Sequence, residues 1–236
     1  PSLAILIASA PENLRQRKAI RAAWSREQNG SHILALSFFL IGKTEDPIRD
    51  KIVMDEVNDE GDILLGDYKD SYRNLTLKTV HGLNWAGTNL KPFYVLKTDD
   101  DCFVNTEVLN NSSSVFSELE EYPSPLYVGS MRWENVVVRD PQSRWFVSKQ
   151  DYSPSRYPPY TSGAGYILDA SALRLFIRTA RYVRPFANED AYVGTVMHEA
   201  GVMPRQSSRF SARSSRFWTC NLLYLVVIHG VLPEEQ

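Results

Sequence analysis

The sequence predicts an α/β fold, a sheet with helices packed on its faces, and three observations carry that reading. Apolar, β-prone runs alternate with helix-length segments through the N-terminal half, the order that gives parallel strands joined by helical crossovers. The fourth such run, residues 93–98, leads straight into the acidic triplet Asp99-Asp100-Asp101, and the apolar pair Phe103-Val104 follows. With 236 residues, 43% of them hydrophobic, the chain can bury a sizeable core. No repeat, low-complexity segment or linker divides it, so we expect one domain over residues 1–236.

In chain order, residues 3–8 read as a buried first strand. Pro11 opens a helix through Trp24, with Ile20 and Trp24 four apart and Arg15, Arg17, Lys18 and Arg21 on a basic, solvated face. Such arginines can also serve an anionic ligand. Residues 34–41 form a second strand closed by Gly42, and residues 45–57 a second helix. Ile63-Leu64-Leu65 is a short third strand. Asp70 or Ser71 then caps a helix whose buried stripe is Leu75, Thr79 and Leu83; Lys78 reads as helix surface. After the fourth strand come a helix over residues 106–120 and a strand over 127–131. The middle is aromatic, with Trp133, Trp145, Phe146, Tyr152, Tyr157 and Tyr160 interrupted by prolines. Such side chains stack on sugar rings or fill cores. The small residues of Thr161-Ser162-Gly163-Ala164-Gly165 mark either a plain turn or a close approach of backbone to a ligand. Glu189-Asp190 suits a helix N-terminus, where the dipole favours negative charge, and also offers a general base. A final strand over residues 225–228 ends at His229.

The triplet is the focus of function. Strand formers on both sides place it at a strand end near the interior, where three adjacent carboxylates repel one another and resist desolvation. A hard divalent cation removes that cost, because carboxylate oxygens suit Mg, Mn or Ca. In sheets of this type, ligands bind at the carboxyl ends of the strands near a switch in strand order, and the triplet lies at such an end. A net charge of −2 gives no basic surface for nucleic acid. No apolar run is long enough to span a membrane. Four glycosylation triplets, starting at Asn29, Asn74, Asn110 and Asn111, lean towards a secretory lumen. Two cysteines, Cys102 and Cys220, allow one disulfide or two thiols. The abrupt start on a strand leads us to expect a luminal piece whose targeting segment lies upstream.

These residues, taken in order, resemble the β1,3-glycosyltransferases, the galactosyl- and N-acetylglucosaminyltransferase family. The resemblance rests on six blocks: Arg17 to Trp24, Gly61-Asp62-Ile63 with Asp70 to Thr79, Lys97 to Asn105, Tyr157 to Tyr166, Glu189 to Gly194, and His229 with Pro233-Glu234-Glu235. It implies a GT-A fold, a Rossmann-like α/β unit with a mixed central sheet. It also implies a UDP-sugar donor, a divalent cation (Mn2+ in most members), inversion at the anomeric carbon, and a glycan acceptor on glycoprotein or glycolipid. By this resemblance Asp190 is the catalytic base, and Asp101 with His229 holds the metal. Arg21, Asp70, Lys78, Asp99 and Asp100 lie towards the nucleotide, while Gly163, Ala164, Gly165 and Glu189 shape the sugar pocket. The Ser162-to-Gly165 pattern and the stretch from Trp145 to Lys149 are similar to galactosyltransferases, so UDP-galactose is the expected donor, with N-acetylglucosamine or N-acetylgalactosamine transfer as the alternative. Thr161 stands where many galactosyl members have Cys. The family's members are type II Golgi membrane proteins, so the chain is expected in the Golgi lumen, reaching a membrane through an upstream anchor. A glycan-binding protein that has lost catalysis is the rival of another class. A metal phosphohydrolase would want more ligands than four His allow.

Overall fold

The computed structural model describes residues 1–25, 35–110, 119–133, 135–214 and 223–236. Its centre is β1 (Leu3–Ala8), with every side chain buried. β2 (Ala35–Lys43) and β4 (Tyr94–Asp99) pair with its two edges, both parallel, and β3 (Ile63–Lys69) extends the parallel part beyond β2. On the other side β7 (Tyr160–Asp169) runs antiparallel to β4. β6 (Tyr127–Arg132) and the short β8 (Arg205–Gln206) follow, giving the order β3-β2-β1-β4-β7-β6-β8. The sheet is therefore mixed and flanked by helices, the α/β architecture expected. A second sheet, β5-β10-β9, joins β5 (Cys102–Val104), β9 (Phe210–Ser214) and β10 (Val227–His229). The small residues 161–165 form no turn: β7 runs unbroken through them.

Alternation along β1 divides the core. Leu3, Ile5 and Ile7 face α1 (Leu14–Ala23) and α2 (Pro47–Glu60). Ala4 and Leu6 face α3 (Leu75–Trp85), α5 (Ala170–Thr179) and α6 (Glu189–Glu199). A strand covered on both faces must be apolar at every position, which is why β1 reads as a continuous run. α2 shows its bounds locally. Asp46 accepts from the Ile48 N–H at 2.9 Å, Pro47 follows, and Gly61 closes the helix with φ 69°. α4 (Thr106–Asn110) follows β5; the rest of the expected helix, with Asn29, Asn111 and Cys220, lies outside the described residues.

The basic face expected of α1 is buried in part. Arg17 is fully buried, its Nη2 2.6 Å from Glu56 Oε2 and its Nη1 2.6 Å from Ala10 O. Arg21 lies beside it, bonded to Glu56 Oε1 at 2.7 Å and, through two nitrogens, to Asp62 at 2.7 and 2.8 Å. Glu56 on α2 thus serves two guanidinium groups. Burial pushes its carboxyl up, but hydrogen bonds from Arg17 and Arg21 outweigh that and hold it below the usual glutamate range. Replacing Glu56 with Ala strands the buried Arg17 cation and leaves Arg21 with Asp62. The expected loss is about 3–5 kcal/mol, read as a lower denaturant midpoint at unchanged m-value. Because the folded pKa is depressed, this stabilisation is present above the ordinary glutamate range. It is lost as pH falls through the folded value, so the variant and parent should converge in acid.

Candidate active site

β1 has β2 on one side and β4 on the other, so the crossovers leave in opposite directions and open a crevice at the carboxyl ends of β1 and β4. Ser9 and the acidic triplet are the first residues into it. The Asp100 N–H donates to Ala8 O at 3.0 Å, and Asn13 Nδ2 donates to Asp100 Oδ2 at 2.9 Å. Asp100 is buried, and that desolvation lifts its pKa against the help of Ser9 and Asn13. Asp101 stands at the entry to β5. The β5–β10 ladder pairs Cys102 with His229, which sets His229 Nε2 3.4 Å from Asp101 Oδ2. Gly230 and Val231 then donate their N–H groups to Asp101 O at 2.9 and 2.8 Å. The hydrogen bond with Asp101 raises the His229 pKa. Cys102 is buried, its Sγ 3.3 Å from Ala164 O.

Lys97 organises the other side, and the sequence reading missed it. Buried in β4, its Nζ lies 2.7 Å from Asp99 Oδ1, 2.9 Å from Gly163 O and 3.2 Å from Glu189 Oε2. Burial would lower its pKa; the two carboxylates reverse that and keep it charged. The antiparallel register of β4 and β7 sets Thr98 opposite Gly165, so residues 163–165 lie beside the triplet. Thr98 donates to Ala164 O at 2.8 Å. A Cβ at Gly163 would stand 3.0 Å from Glu189 Oε2, and one at Gly165 2.9 Å from Val227 Cγ1, so bare backbone is required at both. Glu189 also accepts from the Tyr166 hydroxyl at 3.1 Å. Asp190, half-buried on the first turn of α6, accepts from the N–H groups of Gly163 at 3.3 Å and Ala191 at 3.0 Å. Desolvation raises its pKa; those N–H groups, Lys97 and Arg132 oppose the rise.

Asp70 and Lys78 meet at the ends of β1, β2 and β3. Lys78 Nζ lies 2.9 Å from Asp70 Oδ2 and donates to Ser9 O, while the Gly42 N–H donates to Asp70 Oδ2 at 2.6 Å. Lys78 is therefore buried and not helix surface. Asp70 is spent on Lys78 rather than on a cap, and a 3-10 turn at Tyr72–Asn74 precedes α3. Arg21 is the one expected donor residue not brought here: Glu56 and Asp62 saturate its guanidinium inside the α1–α2 layer.

Beside Asp190 opens a cleft of about 1120 Å³, lined by Arg132, Trp133, Trp145, Arg156 and Tyr160 among others. Its far wall is the excursion between β6 and β7. Arg139 pins that excursion by donating to Val147 O at 2.7 Å, Tyr152 O at 2.7 Å and Pro154 O at 2.6 Å. Neither Arg132 nor Arg139 was singled out from sequence, because an arginine in irregular chain carries no periodicity. Lys97 did carry a signal, a lone charge inside a buried strand.

Among the described residues no group of three or more His, Cys, Asp and Glu side chains converges on one point. Asp101 and His229 form a carboxylate–imidazole pair, two donors of the kind that can hold a divalent cation.

Replacing Lys97 with Met leaves Glu189 buried beside Asp99 without its cation. The expected loss is about 3–5 kcal/mol of stability at neutral pH, measured by denaturation. Gly163→Ala should cost less stability than that and also disturb ligand binding, because the new methyl presses on Glu189 Oε2, which Lys97 and Tyr166 hold at the site itself.

The sequence matches the family described as Galactosyltransferase over residues 15–208. Over 239 residues the chain is 35% identical to human beta-1,3-galactosyltransferase 1, covering all of this chain and 72% of that one. It is 37% identical over 243 residues to the dog beta-1,3-galactosyltransferase 4, covering 86% of this chain and 63% of that protein. Among solved structures, a glycosyltransferase involved in glycosylation of the major capsid of PBCV-1 superposes with TM-score 0.48 at 12% identity, over 97% of this chain and 94% of that one.

Proposed function

Because the chain belongs to the galactosyltransferase family, a family of glycosyltransferases, we propose that it moves galactose from UDP-galactose to a hydroxyl of an acceptor glycan, making a β1,3 linkage with inversion. The observation that carries this reading is the placement of Asp190. It lines the cleft and accepts from the backbone of Gly163, beside the Glu189 that Lys97 holds. A donor sugar held over Gly163 to Gly165 would present its anomeric carbon towards that carboxylate. The acceptor hydroxyl oxygen attacks that carbon, its proton passes to Asp190, and the sugar–phosphate bond breaks with its electron pair leaving on UDP. A raised pKa suits Asp190 to accept that proton. Asp99, Asp100, Asp70 and Lys78 serve the nucleotide, and Glu189, fixed by Lys97 and Tyr166, borders the sugar.

Asp101 and His229 would hold a divalent cation, which when bound supplies positive charge against the leaving diphosphate. We read residues 1–236 as one catalytic unit working in the Golgi lumen on glycoprotein or glycolipid glycans. Among the described residues no helix is long and apolar enough to cross a membrane.

The test is UDP release with Mn across a panel of UDP-sugars, with and without β-galactoside, N-acetylglucosaminide and N-acetylgalactosaminide acceptors. Acceptor-dependent release from UDP-galactose supports the reading; metal-dependent UDP binding with release from no donor would favour a glycan-binding protein. Asp190→Asn should lower kcat by about 10²–10⁴ while UDP affinity is retained. His229 holds its proton to higher pH than an ordinary histidine. A metal must displace that proton, so Mn affinity, measured by titration, should rise with pH through and above the ordinary histidine range and fall in acid.

A further inference from the structure

The cleft beside Asp190 has a composition that the transfer reaction alone does not require. Trp133 and Trp145 are 75% and 46% exposed, unusual for indoles on a folded surface. Arg144 lies over the Trp145 ring at 4.5 Å, covering one face of it. Two cations also line the cleft. Arg132 is exposed and has no hydrogen-bonded or ion-paired carboxylate among the described residues. Arg156 gives one nitrogen to Asn135 Oδ1 at 3.3 Å and is otherwise exposed. Asp190 is the one carboxylate among the described lining residues, and the triplet does not line the cleft. Both arginines therefore share the cleft with Asp190, and Arg132 is close enough to act on that carboxylate.

We propose that this cleft takes an anionic acceptor, a glycan bearing a carboxylate or sulfate. The exposed indoles lie against its sugar rings, and Arg132 and Arg156 bind its charge while a neutral hydroxyl faces Asp190. Indole faces suit the C–H faces of pyranose rings. A guanidinium offers paired N–H donors that match the oxygens of a carboxylate or sulfate, and does so at greater strength than neutral hydrogen bonds. The size of the cleft fits more than one sugar ring, which lets the charge sit on a ring distant from the reacting hydroxyl.

This inference rests on reading the cleft as the acceptor side of a transferase, and the experiment separates the two. The full-length protein is titrated with lactose, with lactose carrying a carboxylate at C6 of either ring, and with lactose 6-sulfated on either ring, in the presence of UDP and Mn. UDP release is measured in parallel samples that hold Mn and each of a panel of UDP-sugars in place of UDP. Tighter binding of at least one anionic disaccharide than of lactose, by about tenfold at low salt and less at high salt, is expected. Arg132→Ala with Arg156→Ala should bring the ratio of anionic to neutral affinity to about one, and the double Lys variant should restore part of it. Carboxylate and sulfate arms tell which anion is preferred. Equal affinity for all five sugars, or a preference that survives the double Ala variant, overturns the proposal. Selective anionic binding with no UDP release from any donor would instead overturn the transferase reading and leave the binding site standing.

Discussion

One buried cation holds the acids on the β7 side of the site together. Lys97 lies inside the sheet with carboxylates of Asp99 and Glu189 on it and the Gly163 carbonyl as a third acceptor. Without that charge, Glu189 and Asp190 would crowd negative charge into one corner, where burial already pushes both carboxyls up. With it, Glu189 is fixed, the start of α6 is fixed, and Asp190 can be the group left to accept a proton. The opposite side needs a second compensation, and there the pairing of β5 with β10 brings His229 to Asp101. Two sheets thus meet at one set of acids, each bringing a basic group.

The fold explains why those groups converge. The change of direction between β1 and β4 opens the crevice, and the antiparallel β7 then runs its glycine-rich start past the ends of the parallel strands. A parallel β7 would have carried residues 163–165 to the opposite edge. Bare backbone at Gly163 and Gly165 lets β7 lie against Glu189 and Val227 without displacing either. Ser9 binds the layers together, accepting from Arg17 through its hydroxyl and from Lys78 through its carbonyl.

The parallel half was legible because each of its strands carries an apolar run, unbroken in β1, and the runs are separated by helices of ordinary length. The triplet was legible because charge between two buried runs demands an explanation. Direction was not: β7 is buried on both faces, so it has no alternation to reveal its pairing, and its small residues mimic a turn. Nor were the long-range partners. Lys78 reads as surface until Asp70 and Ser9 are folded onto it. Arg21 sits in a stretch that suggests ligand binding, yet two acids from distant segments of chain, Glu56 and Asp62, consume it. Charge compensation in a core is a property of three-dimensional neighbours, and no local pattern carries it.

The central claim is a single in-line displacement with one carboxylate, Asp190, on the acceptor side. Its most direct measurement is the anomeric configuration of the first-formed product, read by proton NMR during turnover of an α-linked UDP-sugar. The account predicts a β-linked product from the earliest time points. An α-linked product would mean retention, which a single displacement with Asp190 as base cannot give, and would contradict the mechanism whatever the donor.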